Sequence, residues 1–337
     1  MPKMLKTIIK FVCFLAIGLG LIWLVTHNLT QREKDDIFDA FQRANYWLLI
    51  PVVIVGIASH WYRAVRWKLL MAPLGYKPTT LNTFFAVMVG YLVNLAIPRL
   101  GEVTRCGILA SYEKVPADKL VGTMIAERAV DLVLLVLIMF GTVIVQIDLV
   151  STFVQTEVLI PLQEKLGKAG GNGILLGIAV VVLIAIAVGI RILLRSKFGI
   201  TIRNMARGVW DGVKSIGQME KKGWFIFYSI LIWVLYFTMM YLGFMCMEET
   251  RYLGIKAALA VLAFGSIGMI ATQGGIGAYQ LLVQKTLVLY GIQETIGYAF
   301  GWIVWGAQTV LVLVLGLGSL IALPIYNKTP HAAKTDK

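Results

Sequence analysis

Apolar residues gather along the chain into eight long runs, at about 8–26, 46–62, 81–97, 120–147, 173–194, 224–246, 255–272 and 297–323, with short polar stretches between them. A helix needs roughly 20 residues to cross the hydrocarbon core of a bilayer. Most of the runs therefore predict spanning helices, but two differ. The third runs into Pro98 and the seventh into Gly274-Gly275, and each is followed by a shorter semi-polar helix, 100–112 and 277–289. Irregular backbone with a short returning helix is tolerated at membrane depth where it lines a cavity. The pattern thus predicts an all-α integral membrane protein with six spanning helices and two re-entrant hairpins, 81–112 and 255–290.

Loop charges test this topology, because lysine and arginine stay on the cytoplasmic side. Arg63, Arg66, Lys68 and Lys77 occupy 63–79 without an acid, and 195–222 is strongly basic, whereas 28–43, 148–172 and 247–256 are acidic or balanced. If all eight runs crossed, the basic loop 195–222 would lie outside. With two hairpins, one entering from the cytoplasm and one from outside, every basic loop and both termini are cytoplasmic. The halves 1–150 and 151–326 then repeat the same order of elements in opposite orientation, ahead of a cytoplasmic tail at 327–337. Such inverted repeats place a binding site near the midplane, where two broken helices meet.

Composition narrows the class further. With 58% hydrophobic and 15% charged residues and a mean hydropathy of +0.79, the chain is far from the balance of a soluble domain. The net charge of +13 sits in short loops, which fits membrane orientation and anionic lipid rather than nucleic acid. Lys3, Lys6 and Lys10 ahead of an apolar run imitate a signal peptide, but no small-x-small site follows, so an uncleaved first span is expected. Cys13, Cys106 and Cys246 are isolated, and His27, His60 and His331 are scattered. Neither a metal site nor a cofactor is expected, and no hydrolase, kinase or nucleotide motif appears.

Candidate chemistry concentrates in NLAIPRLGEVTRCGIL and the following ERAVD, which place ions at bilayer depth. Glu102 and Arg105 are three apart on one helical face, Arg99 sits at the turn beside Pro98, and Glu127 and Asp131 are four apart with Arg128 between them. An unpaired ion in hydrocarbon is costly, so most must pair, leaving at most one or two arginines for a ligand. The planar guanidinium suits a phosphate, and the half-helix after Gly101 offers backbone N–H donors. Arg99, Arg105 and Arg128 are thus candidate phosphate contacts, and Glu102, Glu127 and Asp131 their ion-pair or proton-coupling partners. A closed ion network that only fixes the hairpin to its neighbour is the alternative. Gly274, Gly275 and Gly277 read as a tight turn, Gln273 and Gln280 make the second hairpin polar, and Gln308 reads as interhelical glue. His60, Trp61, Tyr62, Arg63, Arg66 and Trp67 read as an interfacial belt, 199–222 as a segment on the inner leaflet or a solvated loop, and Gly297 with Gly301 as a packing pair.

The motifs P-x-x-G-E-x-x-R at Pro98, Gly101, Glu102 and Arg105, E-R-x-x-D at Glu127, Arg128 and Asp131, and G-G-x-G at Gly274, Gly275 and Gly277 resemble the lysylphosphatidylglycerol synthase transmembrane region, also called flippase-like. The resemblance covers nearly the whole chain. It implies movement of an anionic phospholipid, an aminoacylated phospholipid or a polyprenyl-phosphate-linked lipid between leaflets of the inner membrane. Gln273 and Gln280 stand where the family usually has a proline and a glutamate. No soluble aminoacyl-transferase domain is expected in this chain, so a synthase name would describe the family. A membrane-embedded transferase or accessory subunit acting on a lipid-linked sugar or amino acid is the alternative. The expected partner is a membrane lipid and not nucleic acid; homo-oligomerisation and a separate synthase partner stay open.

Overall fold

The computed structural model describes residues 3–27, 29–97, 99–147, 217 and 219–328, with side chains from Leu15 onward, and these are all helical or turn, without strands. In chain order the helices are α1 (Lys3–His27), α2 (Gln31–Arg43), α3 (Leu49–Met71), α4 (Thr80–Ala96), α5 (Leu100–Glu113), α6 (Ala117–Val145), α7 (Lys222–Gly243), α8 (Ile255–Ala271), α9 (Ala278–Val288) and α10 (Glu294–Tyr326). Pro98, the expected span 173–194, the loop 148–172, most of 199–222 and His331 lie outside the described residues, and Cys13 lies on α1 ahead of the first described side chain.

Among the described residues, four segments are long and apolar enough to cross a membrane: Tyr46–Leu74, Ala117–Val145, Lys222–Cys246 and Glu294–Tyr326. Helices α4, α5, α8 and α9 have 17, 14, 17 and 11 residues, short of the roughly 20 that a span needs. Helix α2 is of another kind. Thr30 and Glu33 form a reciprocal capping box at its start, its Ile37, Ala40 and Phe41 pack into the core beside α10, and the rest of its surface is mostly charged, with Phe38 exposed.

The expected second run ends too early. It stops at 62 because Arg63, Arg66 and Lys68 depress the local hydropathy, yet the helix continues to Met71. Trp67 and Arg66 are fully buried, and His60 and Arg63 nearly so. The belt reading of these residues is therefore wrong for His60, Arg63, Arg66 and Trp67, which face the protein interior, while Trp61 remains exposed.

Helices α4 and α5 fold back on each other around Gly90 and Gly101. A Cβ on Gly101 would overlap the Gly90 carbonyl oxygen, so the two backbones approach to a distance that no side chain permits. Gly101 accordingly belongs to the first turn of α5 and not to the turn before it. The two ends of the pair are tied together, since Glu113 Oε1 accepts from Thr79 N (3.0 Å), Thr79 Oγ1 (2.5 Å) and Asn82 Nδ2 (2.7 Å). Asn82 also exchanges amide hydrogen bonds with Asn327 at the end of α10.

Helices α8 and α9 repeat this construction. A Cβ on Gly268 would lie 2.7 Å from Tyr279 Cα, and Gly268 and Tyr279 have the same sequence separation as Gly90 and Gly101. The turn uses left-handed backbone at Gly274, Gly275 and Gly277, as expected of that glycine cluster. Its far ends are joined where Tyr290 Oη donates to Lys256 O (3.2 Å), and Gln146 at the end of α6 donates to the same carbonyl (3.0 Å). Each pair has its own apolar core. Trp67, Met71, Met88, Leu109 and Leu120 surround the first, and Phe244, Val283, Leu287 and Phe300 surround the second. The pairs meet at their turns, where Gln273 Nε2 donates to Asn94 O (2.7 Å) and Leu95 O (3.2 Å).

Candidate functional site

Helical spacing builds the site from two faces. On α3, His60, Arg63 and Trp67 recur at i, i+3 and i+7, with Arg66 one turn from Arg63; on α6, Glu127 and Asp131 are one turn apart. These faces meet, and α5 adds Arg105. Arg63 Nη1 lies 3.3 Å from Glu127 Oε1 and 2.9 Å from Asp131 Oδ2. Arg66 reaches Glu127 Oε1 at 3.2 Å and Asp131 Oδ1 at 2.7 Å, while Arg105 Nη2 reaches Glu127 Oε2 at 2.9 Å. Glu127 and Arg66 are fully buried, and Asp131 keeps 14% of its side-chain surface exposed.

Further contacts hold the guanidiniums in place. Arg63 Nη2 donates to Tyr236 Oη (2.8 Å) and Arg66 Nη1 to Ser229 Oγ (3.2 Å), both on α7. Arg105 stacks over the Trp67 ring at 4.4 Å from its centroid, and Trp67 is itself fixed by donation from Nε1 to Thr123 Oγ1 (2.9 Å). The network therefore links α3, α5, α6 and α7.

Arg128 stands apart from this pairing. Among the described residues it has no ion pair within 4 Å and no hydrogen bond, and its Nε is buried without a partner. It lines two cavities at once. The smaller, with about 10 Å³ free, is bounded by Gly90, Tyr91, Asn94, Gly101, Glu102 and Arg105, and there Glu102 Oε2 is also buried without a donor. The larger holds about 520 Å³ and lies between α3, α4, α6, α7, α8 and α10. His60, Arg63, Arg128 and Asp131 contribute its charged or ionisable lining, whereas Leu132, Leu135, Met239, Met269 and Ile270 contribute an apolar wall. Its size falls within the range of small-molecule sites, roughly 300–1,000 Å³.

Of the six expected ionic residues, Arg105, Glu127 and Asp131 join one ion network, and Arg128 and Glu102 border the adjoining void. Arg99 does not belong to this group. It takes a left-handed conformation (φ 62°) at the turn, is exposed and lines neither cavity. Gln273 joins the two turns as described above, while Gln280 accepts, rather than donates, a bond from Gly277 N (2.8 Å) and so caps α9. Gln308 borders the larger cavity. Hydropathy averaging hid Arg63 and Arg66, but a signal was present: basic residues at i and i+3 on α3 match acidic residues at i and i+4 on α6.

Long apolar helices around a buried ion network and a mixed polar and apolar cavity define a multi-pass membrane protein with an internal chamber. A family model for the lysylphosphatidylglycerol synthase TM region matches residues 11–316, and the chain belongs to that family. It is also similar to a UPF0104 membrane protein of Methanocaldococcus jannaschii, with 28% identity over 100 residues, covering 29% of this chain and 30% of that protein. The alignment thus spans less than a third of that curated relative. No solved structure matches the chain.

Proposed function

We propose that the protein is a flippase-like transporter that moves a phosphate-bearing lipid between leaflets, with the lipid head group held in the large cavity by Arg128. The observation that carries this reading is the unpaired guanidinium of Arg128 at the polar end of a chamber of about 520 Å³ with apolar walls. Keeping a cation in such a place costs several kcal/mol unless an anion completes it, and a phosphate is the anionic group shared by phospholipids and polyprenyl-phosphate lipids. The apolar wall suits the adjoining acyl or prenyl chain.

The arrangement of the two helix pairs supports alternating access. On this reading α4–α5 and α8–α9 are re-entrant hairpins that enter from opposite faces and meet at the midplane, within an inverted repeat. Their equal glycine-crossing separation and joined outer ends support it. Lys68, Lys77, Lys114, Lys119 and Lys328 gather near the Asn82–Asn327 end, against Glu113 and Asp118. This excess supports a cytoplasmic location for that end. The opposite end is close to balanced, with Glu33, Asp35, Asp36, Asp39, Glu248 and Glu249 against Arg32, Lys34, Arg43, Arg251 and Lys256.

The test is lipid translocation in proteoliposomes, read by chemical quenching of a head-group-accessible or acyl-labelled phospholipid. Arg128→Ala is expected to slow translocation about tenfold or more, in line with loss of a charged contact to phosphate. Ser266→Trp, which fills the large cavity without changing charge, is expected to slow it as well. Wild-type rates in both folded variants would refute the assignment.

A further inference from the structure

The two helix pairs use the residue after their crossing point differently. Gly101 in the first pair and Tyr279 in the second lie at the close approach, and the positions that follow are Glu102 and Gln280. Gln280 is fully buried and commits its amide oxygen to its own turn by accepting from Gly277 N (2.8 Å). In the first pair Asn94 serves the turn instead, its Oδ1 accepting from Gly101 N (2.8 Å). Glu102 is thereby released from capping. Among the described residues it has no hydrogen bond and no ion pair within 4 Å, and its Oε2 is buried.

The small void that Glu102 borders is bordered by Arg105 and Arg128 as well. Its free volume of about 10 Å³ is of the order that one water needs, and such a water has a carboxylate acceptor on one wall and guanidinium donors on the others. Arg105 is already committed, to Glu127 (2.9 Å) and to the Trp67 ring. Arg128 is not: its two terminal nitrogens make no hydrogen bond among the described residues and, unlike Nε, are not enclosed. Arg128 also lines the large cavity, whereas Glu102 does not. One guanidinium therefore stands between two anion positions, a fixed carboxylate across the small void and a lipid phosphate in the large cavity.

Resting on the assignment of Arg128 to a lipid phosphate, we propose that Glu102 is a built-in competitor for that cation: a positioning residue that holds Arg128 through one water when no phosphate is bound and yields it when a phosphate enters. Because one guanidinium serves both anions, the carboxylate lowers the affinity for the phosphate. A departing phosphate leaves Arg128 facing an anion already in place, so the charge contact that captures a lipid does not also trap it. A carboxylate present only to complement the N-terminus of α5 would have no such link, and its neutralisation would leave phosphate affinity unchanged.

The test is a titration of the purified full-length protein, followed by native mass spectrometry, with phosphatidylglycerol and with diacylglycerol of the same acyl chains as the phosphate-free control. Glu102→Gln is expected to bind phosphatidylglycerol about tenfold or more tightly than the wild type, as charges one water apart, roughly 5–6 Å, imply at an effective dielectric of about 20–40. Diacylglycerol binding should stay within about twofold. Glu102→Asp, which draws the carboxylate back by one methylene, should show a smaller gain and answers the question if Glu102→Gln does not fold. In an Arg128→Gln background the gain should vanish, and in proteoliposomes Glu102→Gln should translocate phosphatidylglycerol more slowly despite binding it more tightly. Unchanged or weaker phosphatidylglycerol binding by folded Glu102→Gln, beside weakened binding by Arg128→Gln, would overturn the inference and leave the phosphate assignment standing. An equal gain in the Arg128→Gln background would overturn it too. Equal phosphatidylglycerol binding by wild type and Arg128→Gln would instead overturn the phosphate assignment, and the inference with it.

Discussion

The ion network makes an unusual pair of stability predictions, because two neighbouring residues on α6 should respond with opposite sign. Glu127 is fully buried and lies within 3.3 Å of three different guanidiniums. Glu127→Gln keeps the shape and one acceptor oxygen but removes the charge, leaving Asp131 to pair with Arg63 and Arg66 and Arg105 without an ion pair among the described residues. Removing one partner of a buried ion pair costs about 3–5 kcal/mol. For a large chain that corresponds to a fall in Tm of about 5–15 °C. Arg128→Gln, in contrast, removes a cation that has no ion pair within 4 Å among the described residues. It should leave Tm unchanged or raise it by a few degrees. Both variants would be followed by intrinsic tryptophan fluorescence on heating in the same detergent. A Glu127→Gln protein that melts within about 2 °C of the wild type, or an Arg128→Gln protein destabilised as much as Glu127→Gln, would refute the assignment of which charges are paired.

Two further outcomes follow from local geometry. Gly101→Ala forces a methyl group onto the Gly90 carbonyl and is expected to cost about 3 kcal/mol or more. Gly318→Ala meets nothing within 4 Å and should be neutral or stabilising by up to about 1 kcal/mol; parallel thermal melts of the two decide it. At the start of α2, outside the spanning segments, the Glu33 carboxyl is held below its ordinary value of 4.5 by hydrogen bonds from the Thr30 backbone N–H and hydroxyl. A lowered carboxyl value means that this cap contributes fully above the unfolded value and is lost as pH falls through the folded one. The protection factors of amides in the first turn of α2, corrected for the intrinsic pH dependence of exchange, should therefore hold at neutral pH and fall as pH drops below the ordinary carboxyl range. Thr30→Ala, which keeps the backbone donor, should weaken that pH dependence, and Glu33→Ala should abolish it.

Much of the architecture was legible because the bilayer imposes a length rule that apolar runs satisfy visibly. The positions of α4 through α10 follow the predicted runs wherever residues are described. Averaging failed at α3 because the same charges that end an apolar run in a sequence window are, in the folded chain, neutralised by carboxylates that lie more than 60 residues away. Sequence neighbourhood misled in the other direction at Arg99, whose left-handed backbone turns it out of the group that its position beside Pro98 suggested. The i, i+4 spacing of Glu127 and Asp131 was a sound guide, since it depends only on local helical geometry. The identity of the unpaired cation was not legible. Which of the arginines goes without a carboxylate depends on how four helices converge, and no local rule reports that.

The link between the turns of the two helix pairs has a mechanical consequence. Among the described residues its hydrogen bonds come from one amide, that of Gln273, and both acceptors are main-chain oxygens. The outer ends are instead fastened by the multiple bonds of Glu113, Asn82 and Asn327 on one side and of Gln146 and Tyr290 on the other. Such a structure is stiff at its rims and lightly latched in the middle. Unfastening that latch breaks two hydrogen bonds, a cost of about 1–3 kcal/mol in all, and leaves the bonds of both rims in place.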